Sequence, residues 1–253
     1  LAHRAHGVDI RCGSRVLAFE GTDRLEAVVC DDARFEADIA VVGMVDSDWR
    51  EQIARFPIAR RLFVGLQLFP EASIDYWVQE RGLIEYENLL VEVAESFASQ
   101  GYCVVVKDHP LQFGFRRAEV IERLKSVPNT LFLPYEVSGN DALALCGVNF
   151  TLTGTLGMQA ALMGKISIAA PCYYTSPTDF ILLENREQIG DLPAKVAGAP
   201  PIDLPLRQRR IVTHLLRGSF EADFFSFKGF DPARPNEGTA CLGQALGAFL
   251  RTV

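Results

Sequence analysis

No C-x-x-C pair occurs in this chain, and its six cysteines, at positions 12, 30, 103, 146, 172 and 241, stand singly. That spacing argues against a zinc knuckle or a dithiol redox motif. Cys103 and Cys146 lie in apolar runs, so the pattern reads as free, buried thiols in a reducing cytoplasm. Basic charge is also short. Lys and Arg total 25 against 32 Asp and Glu, for a net charge of −7. A general nucleic-acid binder needs a basic face for its phosphate contacts, so this acidic balance argues against one. No apolar run approaches the length of a membrane span. The first residues, Leu1 to Gly7, hold two His and one Arg and lack the apolar core of a signal peptide. They also lack an initial Met, which fits a fragment. The G-x-G-x-x-G fingerprint of dinucleotide-binding folds is absent as well. No internal repeat or low-complexity tract is visible.

What is present is an ordinary globular composition, 49% hydrophobic and 23% charged over 253 residues. The stretch from Tyr102 to Lys165 organises the rest. Short β-branched runs (Cys103 to Val106, Thr130 to Leu133, Val148 to Leu152, Ile166 to Ala169) alternate with amphipathic runs (Arg117 to Ser126, Asp141 to Leu145, Thr155 to Met163). That alternation predicts βαβ units and a parallel sheet. A strand over Leu62 to Leu68 and a helix over Tyr86 to Ser99, ended by Gly101, precede it. A long helix, Leu206 to Leu216, and a last helix ending near Leu250 follow. Residues 8–43 differ: short strand-like runs separated by Gly13-Ser14, Gly21-Thr22-Asp23 and Asp31-Asp32-Ala33 predict an antiparallel meander. The expected fold is α/β, a Rossmann-like parallel sheet flanked by helices, with a short N-terminal antiparallel β-meander. The expected divisions are 1–43, a helical connector over 44–61, and 62–253.

In open α/β sheets ligands bind at the carboxyl ends of the strands, and two strand ends here carry groups suited to an anion. Lys107-Asp108-His109-Pro110 follows a buried strand, and Pro110 holds His109 on a rigid turn. There the imidazole can donate to a phosphate or assist a leaving group; alternatively Pro110 simply ends the strand and His109 fills space. Thr153-Gly154-Thr155 opens a helix. Gly154 permits close backbone approach, free amides favour negative charge, and the two threonines add hydroxyls. The competing reading makes Thr155 an ordinary N-cap and Gly157 a packing residue. At a third strand end Gln67, Glu71 and Ser73 could hold sugar or ribose hydroxyls, and Tyr173 could stack on a base or sugar. His214 reads as structural. Asp46-Ser47-Asp48 matches a D-x-D metal motif, but Asp48 with Glu51 matches a capping box better. No metal site is expected.

Two resemblances add to these readings. His3 to Arg11, Glu26 to Arg34 and Ala37 to Gly43 resemble the nicotinamide-domain meander of flavin-dependent ferredoxin and rubredoxin reductases. The match stops at Gly43 and carries no pyrophosphate loop, so neither flavin nor NAD is expected as a cofactor. The larger resemblance joins Q-L-F-P-E-A-S (67–73), V-V-V-K-D-H-P (104–110), P-N-T-L-F-L-P (128–134) and T-G-T-L-G-M-Q-A-A-L-M-G-K (153–165). These resemble bacterial capsular and surface polysaccharide glycosyltransferases of the two-domain GT-B type, including Kdo-transferase-like members.

That resemblance implies the C-terminal, nucleotide-sugar-binding half of such an enzyme. It implies donor phosphate contacts from Lys107, His109, Thr153, Gly154 and Thr155, and places Glu71 near the interdomain cleft as a catalytic carboxylate beside His109. Gln67, Ser73 and Tyr173 would contact the sugar or nucleotide. The implied partners are a nucleotide-sugar donor, a polysaccharide or lipid-linked glycan acceptor, and peripheral contact with membrane assembly machinery. A cytoplasmic location is expected. The rival readings are a flavin or nicotinamide oxidoreductase fragment and a non-catalytic nucleotide- or carbohydrate-binding module.

Overall fold

The structure is a computed structural model that describes residues 16–20, 27–30, 34–36, 48–68, 77–112, 116–217, 243–244, 246–248 and 250–251. The chain divides into two compact units, Leu1–Ser47 and Asp48–Val253. In the first, β1 (Val16–Glu20), β2 (Ala27–Cys30) and β3 (Arg34–Glu36) form a three-stranded antiparallel sheet in sequence order. The pairing of β1 with β2 is irregular between Val16 and Ala18. The outer two of the four expected strand-like runs, near 8–12 and 38–43, lie outside the described residues.

The second unit begins with helix α1 (Trp49–Ala54) and then builds six strands: β4 (Arg61–Gly65), β5 (Cys103–Lys107), β6 (Thr130–Phe132), β7 (Val148–Phe150), β8 (Ile166–Ala169) and β9 (Ile181–Leu182). All pair in parallel, in the spatial order β6-β5-β4-β7-β8-β9. The first strand of the unit therefore lies at the centre, and the chain runs outward first to one side and then to the other. This is the order of a Rossmann-like doubly wound sheet. The strands are short, apolar and almost wholly buried, as a sheet covered on its faces requires.

The connecting helices are α2 (Arg81–Ile84), α3 (Tyr86–Ser99), α4 (Ala118–Ser126), α5 (Gly139–Leu145), α6 (Leu156–Leu162), α7 (Leu192–Ala197) and α8 (Leu204–Arg217). Trp49 and Ile53 of α1, Ala142 and Leu143 of α5 and Ala160 of α6 share one core with Phe63, Val105 and Leu131 of the sheet. Strand alternation turns Leu62, Val64, Val104 and Val106 to the other face, where α3 packs against β5 and α4 against β6. Leu89, Leu90, Val93, Ala94 and Phe97 give α3 its buried side, and Gly101, at φ +77°, turns the chain out of the helix.

Two local expectations are corrected. Asp48 stands at the N-cap position of α1, but its carboxylate takes the amide of Gln52 at 2.6 Å and makes no cap bond. Thr155 occupies the N-cap position of α6 in a helical conformation, and its hydroxyl likewise makes no cap bond. The single cysteines Cys103 and Cys146 are buried and free, and burial pushes their thiols up to about 11 and about 12. These thiols are inert packing groups near neutral pH.

Gly147, just before β7, lies against the backbone around Ile58. Its amide donates to the Ile58 carbonyl at 2.8 Å, and an added Cβ would meet that oxygen at 2.8 Å and Ala59 Cα at 2.9 Å. Backbone atoms cannot step aside as a side chain can. Gly147→Ala is expected to destabilise the unit by about 1–3 kcal/mol, measured as a lowered urea midpoint. An unchanged midpoint would mean that the α1–β4 connection yields freely.

Candidate functional site

Parallel strands put all six carboxyl ends on one edge. β4 and β7 are neighbours there, and the chain leaves them toward opposite sides of the sheet. The crevice between two such strands is where doubly wound folds take ligands. Gln67, two residues beyond β4, fills its floor and is 5% exposed. Its side-chain carbonyl accepts from the amides of Leu152 and Thr153, both at 2.9 Å, and from the Thr151 hydroxyl at 3.2 Å. Its amide nitrogen donates to the Thr153 hydroxyl at 3.2 Å. One side chain thus holds three consecutive residues after β7. Thr151 in turn accepts from the Gly154 amide at 3.2 Å, and Tyr174, beyond β8, donates its hydroxyl to the Gly154 carbonyl at 2.8 Å.

The β5 side of the crevice is organised by Asp108. Its carboxylate accepts from the His109 amide and Arg116 Nε, each at 2.8 Å, and from the Tyr135 hydroxyl at 2.9 Å. Arg116 is nearly sealed, with a side chain 3% exposed, and its other arm donates to the Gln67 backbone carbonyl at 2.7 Å. Burial, then the Asp108 charge, pushes the Tyr135 phenol well above its usual range, so it stays a donor. On His109, Nδ1 accepts from the Leu111 amide at 3.1 Å. A ring nitrogen that accepts carries no proton, so the neutral ring bears its proton on Nε2. Among the described residues Nε2 has no partner, and the ring is half-buried.

The sequence-derived residues are distributed as follows. His109 and the Thr153-Gly154-Thr155 turn share the carboxyl edge, on β5 and β7 with β4 between them. Two strand spacings separate these turns by roughly 10 Å, a span for one extended ligand rather than a single phosphate. Thr153 is buried in the Gln67 network, Gly154 is half-buried and Thr155 is exposed. Among the described residues the Thr155 and Leu156 amides have no acceptor. An added Cβ at Gly154 would meet the Thr151 hydroxyl at 2.8 Å, so this turn admits only glycine without rearrangement.

Two more of the sequence-derived residues are buried. Lys107 is 6% exposed; its ammonium lies toward the carbonyls of Asp108 (3.4 Å) and Tyr135 (3.5 Å) and 5.5 Å from the Tyr135 ring centre. Burial lowers its pKa, against the pull of Asp108 and Glu136. It backs the turn from behind instead of presenting charge at the edge. Gln67 has its carbonyl committed to the β7 turn, so it is a strut and not a free sugar ligand. Glu71 and Ser73 lie outside the described residues.

Further along the edge, beyond β8 and β9, is an open cleft of about 620 Å³ lined by Trp77, Leu83, Pro171, Cys172, Glu80 and Glu184, among others. Tyr173 stands at this rim, half-exposed, with its ring 5.6 Å from that of Trp77, itself 42% exposed. Glu80 is occupied in capping α2 through the Leu83 amide; Glu184 is exposed. The cleft's size suits a small organic ligand. Its exposed rings offer flat apolar faces and Glu184 a carboxylate for hydroxyls. Asp108, Arg116, Tyr135 and Trp77 were not singled out from sequence. The acid-before-His109 pattern could have flagged Asp108; nothing local marks Arg116. His214 Nε2 lies 3.1 Å from the Tyr173 carbonyl, so it steadies this loop.

No protein-family model and no curated protein matches the chain. Among solved structures, it is similar to KpsC of Thermosulfurimonas dismutans, a beta Kdo 2,4 transferase, at 18% identity over 62% of this chain and 44% of that one, with a TM-score of 0.42. It is similar to Phytolacca americana UGT2 complexed with UDP-2fluoro-glucose and pterostilbene at 15% identity over 83% and 46%, TM-score 0.36. It is similar to Os79 from O. sativa in complex with UDP at 12% identity over 66% and 38%, TM-score 0.37. The chain spans less than half the length of each. The architecture assigned above rests on the sheet order itself.

The buried Asp108–Arg116 pair makes a direct prediction. Removing one member leaves the other uncompensated in a poorly solvated place. Arg116→Met is expected to cost about 3–5 kcal/mol, read by chemical denaturation. A loss below 1 kcal/mol would show that water reaches Asp108 and that the pair does not organise the turn.

Proposed function

We propose that the unit Asp48–Val253 is the donor-binding half of a GT-B-type glycosyltransferase of capsular or surface polysaccharide synthesis. It would take a nucleotide sugar and pass the sugar to a polysaccharide or lipid-linked glycan. The observation that carries the reading is His109: its Nδ1 accepts from the Leu111 amide, which leaves Nε2–H, without a partner among the described residues, at the carboxyl edge beside the sheet's switch point. The Thr155 and Leu156 amides, without an acceptor among the described residues, support it from the other side of the crevice. The four motifs that resemble this family supply the chemistry, and the aromatic cleft supplies room for a nucleobase against Trp77 and Tyr173, with Glu184 near its ribose.

In this reading the bond between the sugar's anomeric carbon and the donor phosphate oxygen breaks as the acceptor oxygen bonds to that carbon. The acceptor proton leaves to a carboxylate, the role proposed for Glu71. Charge collects on the departing diphosphate, where His109 Nε2–H would stabilise one end and the β7-turn amides the other. Lys107 contributes from behind by fixing the turn. The scheme uses no metal, flavin or nicotinamide. Transfer needs an acceptor-binding half closing over the same edge, because orientation and exclusion of water provide much of the rate. No helix among the described residues is long and apolar enough to cross a membrane; a cytoplasmic location with peripheral contact to membrane assembly machinery is part of the proposal.

Calorimetric titration with a nucleotide panel that includes UDP and CMP tests the reading. His109→Ala is expected to weaken the best-bound nucleotide by about tenfold or more, the worth of a hydrogen bond to a charged group, with thermal stability unchanged. Equal affinity in the variant would return His109 to a space-filling role. Nucleotide binding is also expected to quench Trp77 fluorescence, and Trp77→Ala should abolish that change; a quench that persists in the variant would place the base elsewhere. The purified chain is expected to retain no flavin and to oxidise no NADH, and stoichiometric flavin carried through purification would favour the oxidoreductase reading.

A further inference from the structure

We infer that Gln67 is the positioning residue of the phosphate site, setting the distance and orientation between its two halves. The inference rests on the nucleotide-sugar reading above and deepens it. Gln67 reaches both halves through different groups. Its backbone carbonyl accepts from Arg116, whose Nε holds Asp108, whose carboxylate holds the amide of His109. Its side chain holds Thr151, Leu152 and Thr153, and through Thr151 the amide of Gly154. No other described residue is bonded to both turns by its own backbone and side chain. Its backbone is held in turn, since its amide lies 2.6 Å from the Tyr86 hydroxyl at the start of α3.

The chemistry of the residue type matters here. Three donors converge on one carbonyl oxygen, and the other end of the same planar group donates to Thr153. Gln meets both demands and stays neutral. Glu in its place would still accept all three hydrogen bonds, but it would set a negative charge beneath a turn read as binding phosphate. Met would match the length and remove every side-chain bond, leaving two buried amides and a hydroxyl to find other acceptors.

The test compares wild-type chain, Gln67→Glu and Gln67→Met, each first checked by thermal unfolding. The nucleotide of the UDP and CMP panel that wild type binds best is titrated beside its parent nucleoside, the latter to millimolar concentration. For Gln67→Glu the expected result is a cooperative fold, nucleotide affinity lowered about tenfold or more by like-charge repulsion, and nucleoside affinity within twofold of wild type. Gln67→Met, where it folds, should show the same selective loss through misplacement of the turn. A purely structural Gln67 would weaken nucleotide and nucleoside together, or neither, and either result overturns the inference. Wild type that binds no nucleotide overturns the nucleotide-sugar reading and the inference with it. Wild type that binds while Gln67→Glu binds equally well overturns the inference alone.

Discussion

The buried amide of Gln67 is the interaction on which this edge of the sheet depends. A parallel sheet ends with its strands releasing their backbone into loops, and past Thr151, whose amide still donates to Ile168 of β8, the amides of Leu152 and Thr153 have no ladder to join. In a site sealed from water each such donor would cost roughly 1–3 kcal/mol unsatisfied. Gln67 satisfies two of them and a hydroxyl with one oxygen. The penalty of leaving any member unpaired is what fixes the turn, because no small displacement keeps all the bonds.

The same logic extends sideways into a continuous polar chain. It runs from Tyr135 past β6 to Asp108 past β5, through Arg116 to Gln67 past β4, then to Thr151–Thr153 past β7, and by Gly154 to Tyr174 past β8. Five of the six strand ends are joined without passing through the apolar layers. Close packing reinforces the chain at Gly157, where an added Cβ would meet the Tyr174 hydroxyl at 2.5 Å and Thr151 Cγ2 at 2.8 Å. Low local dielectric strengthens each bond and makes each defect costly, so the network rigidifies because its members are paired.

Legibility in the sequence followed physical scale. The helix Tyr86–Ser99 and the strand beginning at Cys103 were readable because a long periodic pattern or a dense apolar run determines them locally. The two-residue strand β9 and the short helices α2 and α7 were not, since such elements owe their form to neighbours. His109 and the Thr153–Thr155 turn were readable as candidates because Pro110 and Gly154 mark them. Their support was not. Arg116 reaches Asp108 across eight residues and Gln67 across forty-nine, and that connection exists only once β4 and β5 are neighbours. The burial of Lys107 was hidden for the same reason: sequence shows a cation at a strand end but not the neighbours that cover it.

This burial decides the electrical character of the site. Two cations stand at the β5 end, yet Arg116 is matched to Asp108 and Lys107 is turned toward carbonyls. Among the described residues, what this edge offers is a set of dipoles: the His109 Nε2–H, the amides of Thr155 and Leu156 and the Thr155 hydroxyl. Oriented dipoles in a rigid frame act most strongly where charge grows during reaction, since their alignment is already set and needs no reorganisation. A site of this kind, if it transfers sugar as proposed, gains its selectivity for the departing phosphate from the rigidity of the frame beneath it, which returns the burden to Gln67 and the chain of hydrogen bonds on either side of it.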